Sequence, residues 1–211
     1  MSDSPRHRLL PVISFTGAYL LVAMIAALVR GNQEFLFYIV VMLLLIGFIA
    51  VVHRYVELST GVLWALSLWG FAHMAGGLIV VPVGWPVNAD SRVLYTLWLV
   101  PEVLKYDHVV HAYGFGTTTW VCWQGLRAVL RRRGVTAAPT LGLMTLSATA
   151  GLGFGALNEV VEFAATLLVP ETNVGGYLNT GWDLVANSVG VTVAATLIWW
   201  RGRVASTASS T

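Results

Sequence analysis

The sequence predicts an all-α fold, a polytopic bundle of six transmembrane helices forming a single domain over 1–203 with both termini cytoplasmic. Three observations predict it. Apolar residues make up 57% of the 211-residue chain and charged residues 10%, against about 25% charged in a soluble domain. Six stretches reach the roughly 20 mainly apolar residues that a spanning helix requires. The basic residues gather on alternate connections between those stretches. The abundance of aromatic and branched apolar residues excludes disorder. A net charge of +2 is too small to suggest a nucleic-acid partner. The single cysteine, Cys122, excludes an internal disulfide and any cysteine-based metal or redox motif.

The first span, Leu9–Val29, is almost uniformly apolar. Arg6 and Arg8 precede it, as in a secretory signal, but its apolar run exceeds the usual signal core and no small-x-small cleavage site follows. It reads as a retained helix. The second and third spans, Phe35–Val52 and Gly61–Val81, are equally apolar. The connection Pro82–Tyr106 is long and unusually apolar for a loop. Its Val93–Leu104 part suits a short interfacial helix or a re-entrant segment, serving as a functional lid or a packing cap. The fourth and sixth spans, Asp107–Leu126 and Asp183–Trp200, each open on an acid and carry several polar residues. The fifth is Thr140–Leu168. No soluble domain is expected at either end, and the Ser/Thr/Ala-rich tail over 204–211 is expected to fray.

Arginine and lysine set the orientation. With the N-terminus inside, nine basic residues (Arg6, Arg8, Arg54, Arg127, Arg131, Arg132, Arg133, Arg201 and Arg203) are cytoplasmic, and three (Arg30, Arg92 and Lys105) are outside. Trp199 and Trp200 suit the inner boundary; Trp85, Trp98, Tyr177 and Trp182 suit the outer one. The pattern is that of a multi-pass protein of a bacterial-type inner membrane, with the lipid bilayer as its main partner and the 82–106 loop extracytoplasmic.

Ionisable groups inside spans cost about 2.5–3.5 kcal/mol each at mid-bilayer and mark function by default. Here they are His73, Asp107, His108, His111, Glu159, Glu162 and Asp183. The expected topology brings them to one layer, the outer half of the bilayer. Asp107 and His111 are four apart, with Gly114 continuing the stripe. Glu159 and Glu162 are three apart, with Asn158 four before Glu162. Asp183 and Asn187 are four apart, with Gly190 completing the stripe. Such spacings place each set on one helix face. The first two spans add no ionisable residue to this layer. Tyr106-Asp107-x3-His111-x2-Gly114 and Trp182-Asp183-x3-Asn187-x2-Gly190 also resemble each other, as a weak internal repeat or as one solution reached twice.

Four acids without a lysine or arginine in any span cannot all ionise unaided, so some hold protons or face a cation. Histidine with carboxylates is a ligand set for zinc, manganese or non-haem iron. Asp107, His111, Glu159, Glu162 and Asp183 are therefore the candidate metal ligands. A cation with an open position would polarise a phosphoryl or carbonyl oxygen, or activate a water. His108 and Glu162 are the acid/base candidates; His73, Asn158 and Asn187 are candidates for contacting substrate or supporting the ligands. A protonated His-carboxylate network and a purely structural polar core are the alternative readings. His7 and His53 read as interfacial and inert, and Cys122 as core. Gly151-x3-Gly155 is a small-xxx-small surface for close helix approach; Gly151, Gly153 and Gly155 form no phosphate loop, lying inside an apolar span with no lysine following.

These residues resemble the bacterial integral-membrane family typified by YjdF, and more distantly the VanZ-like family. The likeness covers roughly 61–195: His73-x2-Gly76, Tyr106-Asp107-x3-His111-x2-Gly114, Glu159-x2-Glu162 followed by Phe163, and Trp182-Asp183. Asn187 stands where YjdF-type sequences tend to carry a second acid, and His108 where they carry arginine. The Asp-x3-Asn-x2-Gly ending is more similar to VanZ-like proteins, whose link to glycopeptide-antibiotic resistance implies a loose tie to the cell envelope. The leading expectation is a metal-assisted site open to the outer leaflet, hydrolysing or transferring a lipid or lipid-linked headgroup. A proton- or cation-coupled transporter or binding protein, and a structural subunit of a membrane complex, are the rivals.

Overall fold

The computed structural model describes residues 5–89 and 91–208, with side chains from 9 to 204. Arg6, His7 and Arg8 lie outside the described side chains, as do 205–211 of the tail. Six α-helices carry the described chain: α1 (Pro5–Arg30), α2 (Gln33–Val56), α3 (Thr60–Leu78), α4 (Tyr106–Arg132), α5 (Leu141–Leu168) and α6 (Tyr177–Ala208). Five of them are long and apolar enough to cross a membrane. The exception is α4, whose first turns carry Asp107, His108 and His111 and whose last turn carries Arg131 and Arg132.

Local chemistry stops and starts each helix. After α1, Gly31 takes a positive φ of 63°, a left-handed conformation that glycine adopts without a Cβ penalty. Asn32 then caps α2, its side chain accepting from the Phe35 N–H at 3.0 Å. On α5 the described buried residues are Met144, Ser147, Gly151, Gly155 and Ala165. Most of these recur every three to four residues on one narrow stripe, while Leu157, Val160, Phe163 and Leu167 stand exposed. A helix apolar outside its packing stripe is one solvated by lipid.

Small residues set how closely the helices approach. α4 packs most extensively on α6, and α5 lies against both. A Cβ on Gly190 would overlap the Ala112 carbonyl, and one on Gly114 would overlap the Trp69 indole. Gly151 meets Thr119 and Gly155 meets Asn187, so the Gly151-x3-Gly155 surface does bring α5 close to its neighbours. Around α1, α2 and α3 a second core assembles from Tyr19, Phe35, Tyr38, Ile39, Met74 and Leu78.

The two ends of the bundle differ in charge. At one end Arg132 bonds the Tyr55 carbonyl, Gln124 bonds Ser59 at 2.8 and 3.0 Å, and Arg127, Arg201 and Arg203 lie over Trp123, Trp120 and Trp199. At the other end Arg30 donates to the Leu78 carbonyl and Arg92 reaches the carbonyls of Val81, Pro82 and Trp85. Here too Glu34 opens α2. It is 4% exposed and accepts from the Asn173 N–H at 3.0 Å and from its side-chain amide at 2.7 Å. The first two helices thus do contribute a buried acid, one residue before the expected span. It ties the α5–α6 connection down at the hairpin-bearing end. Glu34→Gln weakens two charge-assisted bonds, and chemical denaturation in detergent is expected to show a loss of about 1–3 kcal/mol.

Several boundaries depart from expectation, with α2 running on to Val56 and α4 to Arg132. Residues 93–104 form no α-helix: a one-turn 3₁₀ helix (Leu94–Thr96) precedes an antiparallel pair, β1 (Trp98–Val100) and β2 (Leu104–Lys105). Pro101 and Glu102 at the tip explain this, because proline breaks helix continuity and Glu102 takes a positive φ of 57°. α3 ends at Leu78, short of Val81, where the chain turns into a bridge between Val80 and Val93. α6 starts six residues before Asp183, adding Asn179 and Trp182 to that helix, and continues to Ala208 past Arg203.

Candidate metal centre

The centre is built around His111. It sits one turn into α4, directly above Asp107 on the same face, because residues four apart align on a helix. α5 presents Glu159 and Glu162 to it, and α6 presents Asp183 and Asn187. Asp183 and Asn187 are fully buried and His111 is 6% exposed. His111 Nε2 lies 3.7 Å from Asp107 Oδ1 and 3.7 Å from Glu162 Oε1. Its Nδ1 lies 3.7 Å from Glu159 Oε1 and 3.1 Å from Asn187 Oδ1. Among the described residues, Asp107, His111 and Asp183 place ligand atoms within 4.8 Å of one another, and so do His111, Glu159 and Glu162.

The hydrogen bond to Asn187 fixes the tautomer. An amide oxygen only accepts, so Nδ1 carries the proton and Nε2 turns its lone pair toward Asp107 and Glu162. An imidazole held this way by a partner behind it could offer Nε2 to a metal. Two ligands of a tetrahedral ion with bonds of about 2.0–2.2 Å stand about 3.4 Å apart. The 3.7 Å gaps around Nε2 therefore match ligand spacing and are too long for hydrogen bonds. Other buried acceptors also lack a partner: both Glu159 oxygens and Asp183 Oδ1. Buried carboxylate oxygens left bare are costly, and a proton shared within the cluster or a bound cation would each satisfy them.

Two residues at this centre escaped the sequence reading. Lys105, expected among the outer charges, is 5% exposed. Its ammonium lies 3.5 Å from Asp107 Oδ2 and bonds the Asn179 side-chain oxygen. The cluster is thus not free of basic groups. Asn179, one turn before Asp183 on the extended α6, donates to Asp183 Oδ2 at 2.5 Å. Its position four before Asp183 was the available signal; the assumed helix start concealed it. Lys105 is the chain's only lysine and immediately precedes α4.

The remaining candidates fall into place around this core. Asn158 donates to Glu162 Oε1 at 2.9 Å, orienting one of the clustered carboxylates. His108 belongs to neither trio. Its Nδ1 accepts from the Lys105 N–H at 3.3 Å and its ring packs on Trp182, leaving Nε2 buried without a partner. His73 pairs with the loop: Tyr95 donates to the His73 carbonyl at 3.0 Å and also bonds His73 Nδ1. Because the phenol has one proton, both bonds form when His73 Nδ1–H donates to the phenol oxygen. Burial, with the charge on Asp107, pushes the Tyr95 phenol well above its ordinary value, so it stays a donor. His53 lines an apolar groove of about 450 Å³ between α1, α2 and α3, and Cys122 is a half-buried free thiol. Toward the arginine-rich end, Trp123, Met144 and Ile198 close the bundle with apolar packing.

No curated protein and no solved structure matches the chain. The sequence profile described as "Predicted membrane protein (DUF2238)" matches residues 12–203. A membrane-protein family, a lipid bilayer environment and a buried His/carboxylate cluster thus come together in one molecule, and the chain belongs to the DUF2238 family of predicted membrane proteins.

Proposed function

We propose that this protein is an integral inner-membrane enzyme whose His111-centred cluster holds a divalent cation and hydrolyses or transfers a lipid or lipid-linked headgroup. The observation that carries it is the convergence of Asp107 and Glu162 on His111 Nε2, with Asp183 and Glu159 completing two ligand trios that share His111 and buried carboxylate oxygens left unpartnered. One imidazole among several carboxylates is an oxygen-rich set, suited to manganese or iron ahead of zinc. A cation there would act as a Lewis acid on the scissile group or lower the pKa of a bound water. Asn187 and Asn158 orient His111 and Glu162 for that task.

The orientation is part of the reading. Arg54, Arg127, Arg131, Arg132, Arg133, Arg201 and Arg203 mark the cytoplasmic end, which puts the cluster in the outer-leaflet half beneath the 79–105 connection. Toward the arginine-rich end the described core is the apolar cluster of Trp123, Met144 and Ile198, and the buried polar residues on the way are the uncharged Thr117, Thr119 and Ser147. That supports chemistry at one leaflet over cation-coupled transport, which requires access from both sides. Kinship with YjdF-type proteins, and more distantly with VanZ-like ones, belongs to the same reading. Phospholipid profiling of cells producing the wild type is expected to show a changed headgroup composition, abolished by Asp107→Ala and by Glu162→Ala. Identical profiles for wild type and both variants overturn the enzymatic reading.

A further inference from the structure

Asp107 faces two different environments. Its Oδ1 lies 3.7 Å from His111 Nε2, while its Oδ2 faces Lys105 at 3.5 Å. On the lysine side the chemistry is that of an anion site. Lys105 carries the only buried ammonium or guanidinium among the described residues. His108 is 6% exposed, and its Nδ1 accepts from the Lys105 backbone, so its proton sits on Nε2. That N–H is buried with nothing to donate to, a costly state for a donor. Both groups lie at the N-terminus of a 27-residue helix, where aligned peptide dipoles favour negative charge.

We propose that Lys105, His108 and the start of α4 form the anion-binding half of the centre and take the phosphate of a phosphate ester. This rests on the cation reading above and narrows its substrate to a phosphoryl compound, excluding neutral acyl esters. With Asp107 engaged by a cation through Oδ1, the ammonium beside Oδ2 is placed to bind the same phosphate that the cation contacts. Lysine suits this as a compact point charge. The His108 Nε2–H then serves as a hydrogen-bond donor to the phosphate, in place of the base first expected of it. Asn179 holds the ammonium on the opposite side and links it to Asp183.

The test uses the full chain in detergent, loaded with manganese, and follows inorganic phosphate by the paramagnetic broadening of its ³¹P signal. The wild type is expected to bind phosphate only when manganese is present. Lys105→Gln is expected to weaken phosphate binding by about tenfold or more, the loss of a charge-assisted hydrogen bond. Its manganese affinity should hold or rise, because a competing positive charge leaves Asp107; this also reports that the variant is folded. His108→Phe should weaken phosphate but not manganese. Displacement of phosphate by short-chain phosphatidate and not by diacylglycerol supports a lipid source, and displacement by neither supports a soluble phosphate. Manganese binding with phosphate affinity equal in wild type and Lys105→Gln overturns this proposal alone. Absence of manganese binding in the wild type overturns it together with the reading beneath it.

Discussion

Gly190→Ala is expected to destabilise the folded bundle more than any other single methyl group added to this chain. The new Cβ would overlap the Ala112 carbonyl, a backbone atom that cannot rotate away. α4 and α6, the most extensively packed pair, would have to separate. Their separation would loosen the Gly116 contact with the Gly190 carbonyl and the His111–Asn187 hydrogen bond. Overpacking ordinarily costs about 1–3 kcal/mol, and a rigid backbone partner places this case at or above about 3 kcal/mol. Thermal unfolding in detergent measures it. Gly153→Ala is the control, since nothing lies within 4 Å of its added Cβ. In a helix interior that change is expected to be neutral or to stabilise by up to about 1 kcal/mol. Equal unfolding midpoints for the two variants would contradict the account of α4–α6 packing.

His111→Ala carries the largest expected effect on the centre. It removes the imidazole nitrogen on which Asp107 and Glu162 converge, and leaves carboxylates facing one another without their common partner. Manganese affinity is expected to fall by more than about 100-fold, beyond the roughly 10–100-fold typical of losing a residue that only orients a ligand. Asn187→Leu supplies that lesser case, because it frees the Nδ1 proton and lets the ring turn. Calorimetric titration of the detergent-purified variants separates the two. An Asn187→Leu loss equal to or greater than that of His111→Ala would contradict the ligand assignment.

Much of this was legible in the sequence because membranes impose harsh rules. Uniform apolarity marked α1, α2 and α3 without ambiguity, and the i, i+4 spacings of Asp107–His111 and Asp183–Asn187 put each pair on one face. The His111–Asn187 bond and the Asp107/His111/Asp183 group bring those two faces together. What stayed hidden involves residues whose placement depends on chain geometry outside the spans. Lys105 reads as a loop charge until β2 carries it into the protein at the start of α4. Asn179 reads as a loop residue because Gly175, Gly176 and Gly181 dilute the apolar signal that would announce the first turns of α6. Glu34 lies one residue before the apolar run, and only its partner Asn173, 139 positions away, gives it a buried role. The Trp98–Lys105 hairpin has no local signature, because three apolar residues in β1 are equally compatible with an interfacial helix. Its strand character comes from the pairing of Trp98 with Lys105, which no local pattern encodes.

The central claim is that the His111 cluster holds a divalent cation, and metal analysis of detergent-purified protein tests it most directly. Protein from cells grown with manganese, iron and zinc, desalted and measured by inductively coupled plasma mass spectrometry, is predicted to retain about one divalent ion per chain, consistent with a single mononuclear set of ligands. Glu162→Gln and His111→Ala, purified alongside, are predicted to retain far less while still eluting as folded monodisperse protein. A wild type that carries no more metal than these variants, and whose unfolding temperature is unmoved by added manganese, iron or zinc, would contradict the account.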